Sequence, residues 1–119
     1  MTDDTENPFL HAVVEFVRFQ NEQDLPGMLH LMHRESFAYK PAQQMFLKLF
    51  ATFELRITLL GKFFIAMEGE FAYVRMKLTT EKIEGPDFRN NITEFLVVFR
   101  LFGNEWKIWC QQPLTFQLL

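Results

Sequence analysis

Residues 91–102 (NITEFLVVFRLF) and 105–110 (EWKIWC) are two strand-like runs separated by Gly103-Asn104, and no other stretch constrains the fold as much. Glycine at the first of two turn positions suits a type II′ hairpin, whose twist matches that of the strands it joins. With Gly103 and Asn104 in the loop, Leu101 faces Trp106, Phe99 faces Ile108 and Val97 faces Cys110 on one side of the hairpin. Arg100 and Lys107, Val98 and Trp109, and Leu96 and Gln111 fall on the other. The first side is wholly apolar, so the upstream chain must cover it; the second is mixed.

That upstream chain supplies the material. Asn7-Pro8 pairs a capping residue with a proline at the first helical position, and Phe9, Val13, Phe16 and Val17 follow at helical spacing, which predicts a helix over 8–21. Asp24 caps a second, short helix with Pro26 in its first turn and Met28, Leu29 and Met32 on one face. Pro41 disfavours helix at Lys40, so residues 36–40 read as a loop; Phe46, Leu49, Phe50 and Phe53 then mark a third helix from about residue 42 to 52 or 53. From Leu55 the period falls to two. Strands are predicted over 55–67, broken by a bulge at Gly61, and over 70–80, joined by a turn at Glu68-Gly69 that sets Ile65 against Ala72 and Phe63 against Val74. The final hairpin adds strands over 92–102 and 105–116. Residues 1–6 are polar and expected to fray.

The whole, residues 1–119, is expected to be a single domain of α+β class: three N-terminal helices packed on one face of a strongly bent antiparallel four-strand meander. Fifteen phenylalanines imply a bulky core, an apolar cavity or a second buried surface made by association. A formal net charge of -3 argues against a nucleic-acid partner, which calls for a basic face. The N-terminus is acidic where a signal peptide would be basic, and no apolar run approaches a membrane span, so a cytoplasmic location is expected. The single cysteine, Cys110, reads as a small core residue.

Residues 24–32, the apolar helix at 46–53, EGEFAYV at 68–74 and GNEWKI at 103–108 together resemble the nuclear transport factor 2-like (NTF2-like) superfamily. That is the cone-shaped, cystatin-like fold shared with SnoaL-type cyclases and ketosteroid isomerase. The resemblance covers nearly the whole chain and implies a conical pocket between helices and sheet. It places Thr93, Phe95, Val97, Phe99 and Leu101 on the concave side. With Tyr73 opposite Val98, the concave rows are Ile65-Ala72-Phe99-Ile108 and Phe63-Val74-Val97-Cys110, and neither carries an acid or a base.

Proton transfer needs a titratable group aimed at the substrate. Enzymes like ketosteroid isomerase carry acids on the strands that line the cone, and Val97 stands where such an acid is expected, so isomerase-type chemistry is disfavoured, no catalytic residue is assigned, and whether the chain is an enzyme stays open, with the balance towards not. The expected pocket lining is His30, His33, Tyr39, Phe63, Val74, Phe95, Val97, Phe99, Cys110 and Gln112, with Glu15 near the mouth. His30 and His33 are spaced to share a metal but lack a third ligand, and no phosphate loop occurs, so neither metal nor cofactor is expected. On the convex side Phe64, Tyr73, Leu96, Val98 and Trp109 form an aromatic strip ringed by charge. The resemblance implies homodimerisation through this face. The expected function is a non-catalytic homodimer binding a small hydrophobic ligand or supporting assembly, with a SnoaL-like isomerase, cyclase or hydrolase on an apolar substrate as the alternative.

Overall fold

The computed structural model describes residues 7–119, so the expectation for residues 1–6 lies outside it. Three helices, α1 (Pro8–Asn21), α2 (Leu25–His30) and α3 (Tyr39–Thr52), precede four strands, β1 (Glu54–Glu68), β2 (Phe71–Glu84), β3 (Asn91–Phe102) and β4 (Glu105–Leu118). The strands form an antiparallel meander in the order β1-β2-β3-β4, as the alternation required. Asn7 Oδ1 accepts from the backbone N–H groups of Phe9 and Leu10, and Asp24 Oδ1 from that of Gly27, which fixes the starts of α1 and α2. α3 begins at Tyr39, earlier than Pro41 suggested. A proline in the first turn removes an N–H that has no acceptor there, and Ser36 anchors the entry by accepting from the backbone N–H of Ala38.

β2 and β3 pair in the expected register, with Tyr73 opposite Val98 and Lys77 opposite Glu94, and their inward residues Ala72, Val74, Met76, Val97 and Phe99 are buried. The outer strands depart from it. The β1–β2 turn is Gly69-Glu70, with Gly69 at φ 58°, so Glu68 faces Phe71; a further bulge at Ile65 then sets Phe64, not Phe63, opposite Val74. Each inserted residue exchanges the faces of those beyond it. Phe64 therefore points inward and stacks on Phe9 at 5.5 Å between ring centroids, while Phe63 lies outside under the Arg75 guanidinium, 52% exposed. Ile65, expected opposite Ala72, is exposed at the bulge, and Met67 takes its place. The bulge expected at Gly61 is present, with Leu60 as the extra residue.

In β4 the pairs Leu101–Trp106, Phe99–Ile108 and Arg100–Lys107 stand as expected, around a turn in which Gly103 alone has positive φ, 64°. Beyond Ile108 a bulge at Trp109 moves Val98 opposite Cys110, Val97 opposite Gln111 and Leu96 opposite Gln112. A second bulge follows Pro113, which an edge strand tolerates because its missing N–H is not required by the ladder.

Both sheet edges are met locally by the helical half. Asn21 at the end of α1 accepts the backbone N–H of Ile57 at 2.7 Å and donates to its carbonyl at 2.9 Å, acting as a one-residue strand against β1. Residues 31–33 do the same to β4: His33 N–H donates to the Ile108 carbonyl and Ile108 N–H to that of Leu31, each at 2.8 Å. Asn21→Ala should lower the urea midpoint by an amount equivalent to about 1–3 kcal/mol with an unchanged slope, because Ile57 loses both partners.

Candidate functional site

α1 and α3 cover the concave face unequally. Phe9 of α1 meets Phe99 and Trp106 edge-on at 5.3 and 5.1 Å, and with Val13 and Met28 it closes the narrow end of the cone. Val74, Val97 and Phe99 are part of this packing at 0–1% exposure, so they fill the apex and do not line a pocket as expected. α3 buries only Phe46 fully. Between α3 and the sheet remains a cavity of about 650 Å³, bounded by Phe16, Met32, Phe46, Leu49, Met76 and Leu78. Its mouth lies between Phe37, Met45, Phe88 and Pro113; Phe37 is 70% exposed.

Of the residues expected to line this space, Phe95 does; Cys110 borders it, but the Trp109 bulge sets Cys110 opposite Val98 of the convex row. The others lie elsewhere. His30 and Tyr39 border a separate depression beside Lys107, whose ammonium donates to the His30 carbonyl at 2.8 Å. His33 is buried on the far side of residues 31–33, held edge-on between Phe102 and Trp109 at 4.7 and 4.9 Å, and its Nδ1 accepts the Glu35 N–H. The strand-like alternation at Met32 and His33 turns Met32 inward and the imidazole outward. Gln112 is exposed opposite Leu96, displaced by the Trp109 bulge, and Phe63 is on the convex face. Glu15 pairs with Arg18 and His11 on the outer side of α1. Among the described residues no three His, Cys, Asp or Glu side chains converge as a metal site.

The polar residues bordering the cavity are Gln20, Thr80, Asn91, Thr93, Cys110 and Gln111; none is an acid or a base. Thr93 belongs to the inward row of β3, and extending its alternation back by one step would have found Asn91. Burial raises the Cys110 pKa, so the thiol is held protonated. Tyr73, Arg75, Glu94 and Arg100, whose presence inside the cone would favour catalysis, all stand on the convex face, where Arg75 lies 3.5 Å from Glu94 and Arg100 2.8 Å from Glu70.

On that face Tyr73, Leu96, Val98 and Trp109 are half-buried, and Phe63 takes the place expected for Phe64. The end of β4 continues as a strand and does not fold over Trp109, which instead meets His33, Phe37 and the Arg100 guanidinium.

Residues 13–119 match the family described as the C-terminal domain of the anti-sigma-I factor RsgI9. The chain belongs to that family. No curated protein matches it in sequence. Solved structures similar to this RsgI9 C-terminal-type domain include a candidate aromatic ring hydroxylase of Novosphingobium aromaticivorans, at TM-score 0.76 and 12% identity over 93% of this chain and 90% of that one. A candidate dehydratase of the NTF2-like family from Streptomyces avermitilis aligns at TM-score 0.73 and 16% identity, covering 96% and 99% of the two chains. A cystatin-like protein of unknown function from Nostoc punctiforme aligns at TM-score 0.72 and 14% identity over 95% and 92%. At these identities the likeness shows the fold alone: the domain has the NTF2-like, cystatin-like fold, with three helices on an open four-strand antiparallel sheet. No helix of the described residues is long and apolar enough to cross a membrane.

Proposed function

We propose that this domain is a non-catalytic binding module that takes a small apolar molecule into the cavity between α3 and the sheet. The observation that carries this reading is the lining: a volume of about 650 Å³, within the range of small-ligand pockets, with apolar walls and no carboxylate, imidazole or amine to move a proton. Membership in an anti-sigma-I factor family supports it, because a regulatory protein needs a part whose conformational equilibrium a ligand can bias. A cytoplasmic setting suits the lone free thiol.

Cys110 is a part-buried free thiol of β4. Alkylation of this sole cysteine by a small maleimide should be slower than in the unfolded chain at neutral pH, and its pH profile should lie to the alkaline side, because the reactive thiolate is disfavoured by burial. Saturating naphthalene should raise the midpoint of thermal unfolding, because a ligand that binds only the folded state stabilises it. An unchanged midpoint at saturation would contradict occupancy of this cavity.

The same module is proposed to pair with a second copy through the convex face. There Phe63, Tyr73, Leu96 and Val98 offer apolar surface, while the ion pairs Arg75–Glu94 and Arg100–Glu70 neutralise much of the surrounding charge. Tyr73→Glu should sediment as a monomer at micromolar concentration where the parent sediments as a dimer; equal sedimentation of the two would dismiss this interface. Trp109→Glu is the poorer test, since Trp109 also packs on His33 and Phe37 within one chain.

A further inference from the structure

The cavity is not uniformly apolar. Asn91 and Thr93, 8% and 7% exposed, stand together on the inward row of β3, with Thr80 opposite Asn91 across the β2–β3 ladder, and all three reach the cavity. The hydrogen bonds among them set the direction of every proton. The Arg89 carbonyl can only accept, so the side-chain nitrogen of Asn91 faces it, at 3.2 Å. The amide oxygen of Asn91 then faces Thr93, and the Thr93 hydroxyl must donate to it, at 3.0 Å. With its one proton committed, Thr93 Oγ1 offers the cavity lone pairs only. Asn91 keeps a second amide N–H, and Thr80 adds another hydroxyl.

From this geometry we propose that the ligand is an uncharged alcohol or phenol with an apolar body, its hydroxyl donating to Thr93 Oγ1 while the body lies along Met76, Leu78 and Leu49. This deepens, and rests on, the binding reading above. A hydrocarbon would leave a buried acceptor without a donor, and an ether or ketone oxygen, though the Asn91 N–H or the Thr80 hydroxyl could meet it, would still leave Thr93 Oγ1 unpaired. A carboxylate would lose its hydration against a wall that offers no cation.

Four probes of similar shape separate these cases by calorimetric titration: 2-naphthol, 2-methoxynaphthalene, naphthalene and 2-naphthoate. 2-Naphthol should bind about tenfold more tightly than the methoxy compound and naphthalene, the increment of one well-placed hydrogen bond, and 2-naphthoate more weakly than any. Thr93→Ser retains the acceptor and should keep the preference. Thr93→Val should bind naphthalene as before and lose most of the preference for 2-naphthol. Equal binding of the three neutral probes, tighter binding of 2-naphthoate, or a preference that survives in Thr93→Val would overturn the assignment while leaving an apolar binding site in place. Binding of none of the four would overturn the site itself.

Discussion

Val97→Asp should destabilise the domain by about 4 kcal/mol or more at neutral pH, a large part of the ~5–15 kcal/mol that holds a domain of this kind together. Val97 is 1% exposed, opposite Val74 in the apex of the cone, where no described cation stands to pair with a carboxylate. An aspartate there is stabilised as the neutral acid, so its pKa in the folded state rises above the unfolded value of ~3.9. The sign follows: the penalty grows as pH rises above the unfolded value towards the raised folded one, so it is large at pH 7 and shrinks as pH falls towards 4, opposite to the usual loss of stability on acidification. Urea unfolding at the two pH values checks both the size and the direction. A variant as stable as its parent at pH 7 would mean that the concave and convex faces are reversed.

Ala42→Trp should abolish ligand binding, weakening 2-naphthol at least tenfold, while leaving the fold intact. Ala42 is a partly buried residue of α3 on the cavity wall, and α3 packs loosely enough on the sheet that an indole has empty space to enter. Filling a pre-existing cavity avoids the overpacking cost of enlarging a dense core and adds buried apolar surface, so the midpoint of thermal unfolding should hold or rise. Unchanged 2-naphthol affinity in a folded Ala42→Trp protein would place the ligand elsewhere.

The hairpin 91–110 and the alternation of β2 made the sheet legible in the sequence, because a period of two together with Gly103 leaves one register for the central strands. What stayed hidden were the bulges at Ile65, Trp109 and Leu114, which have no glycine to announce them, unlike the one beside Gly61. Each bulge exchanges the faces beyond it, which is why Phe63 and Phe64 trade places and Gln112 leaves the cone. His33 departs from helical spacing for a different reason. Helical spacing put it beside His30, but the chain leaves α2 at His30 and runs as a strand along Ile108, turning the imidazole outward. Pocket shape depends on how closely α3 approaches the sheet, a tertiary distance with no local signature. Thr93 was placed inward by alternation, but the direction of its proton depends on the Arg89 carbonyl, which no pattern of side chains reveals.

The central claim is that a neutral apolar molecule occupies the space between α3 and the sheet, and nuclear Overhauser contacts from bound 2-naphthol to isotope-labelled methyl groups test it most directly. The ligand should show contacts to the methyl groups of Met32, Met76, Leu49, Leu78 and Thr93, which surround the cavity. Contacts confined to the exposed side chains Ile65 and Met67 of β1 or Leu114 and Leu118 of β4, with none from Met76 or Leu78, would contradict it.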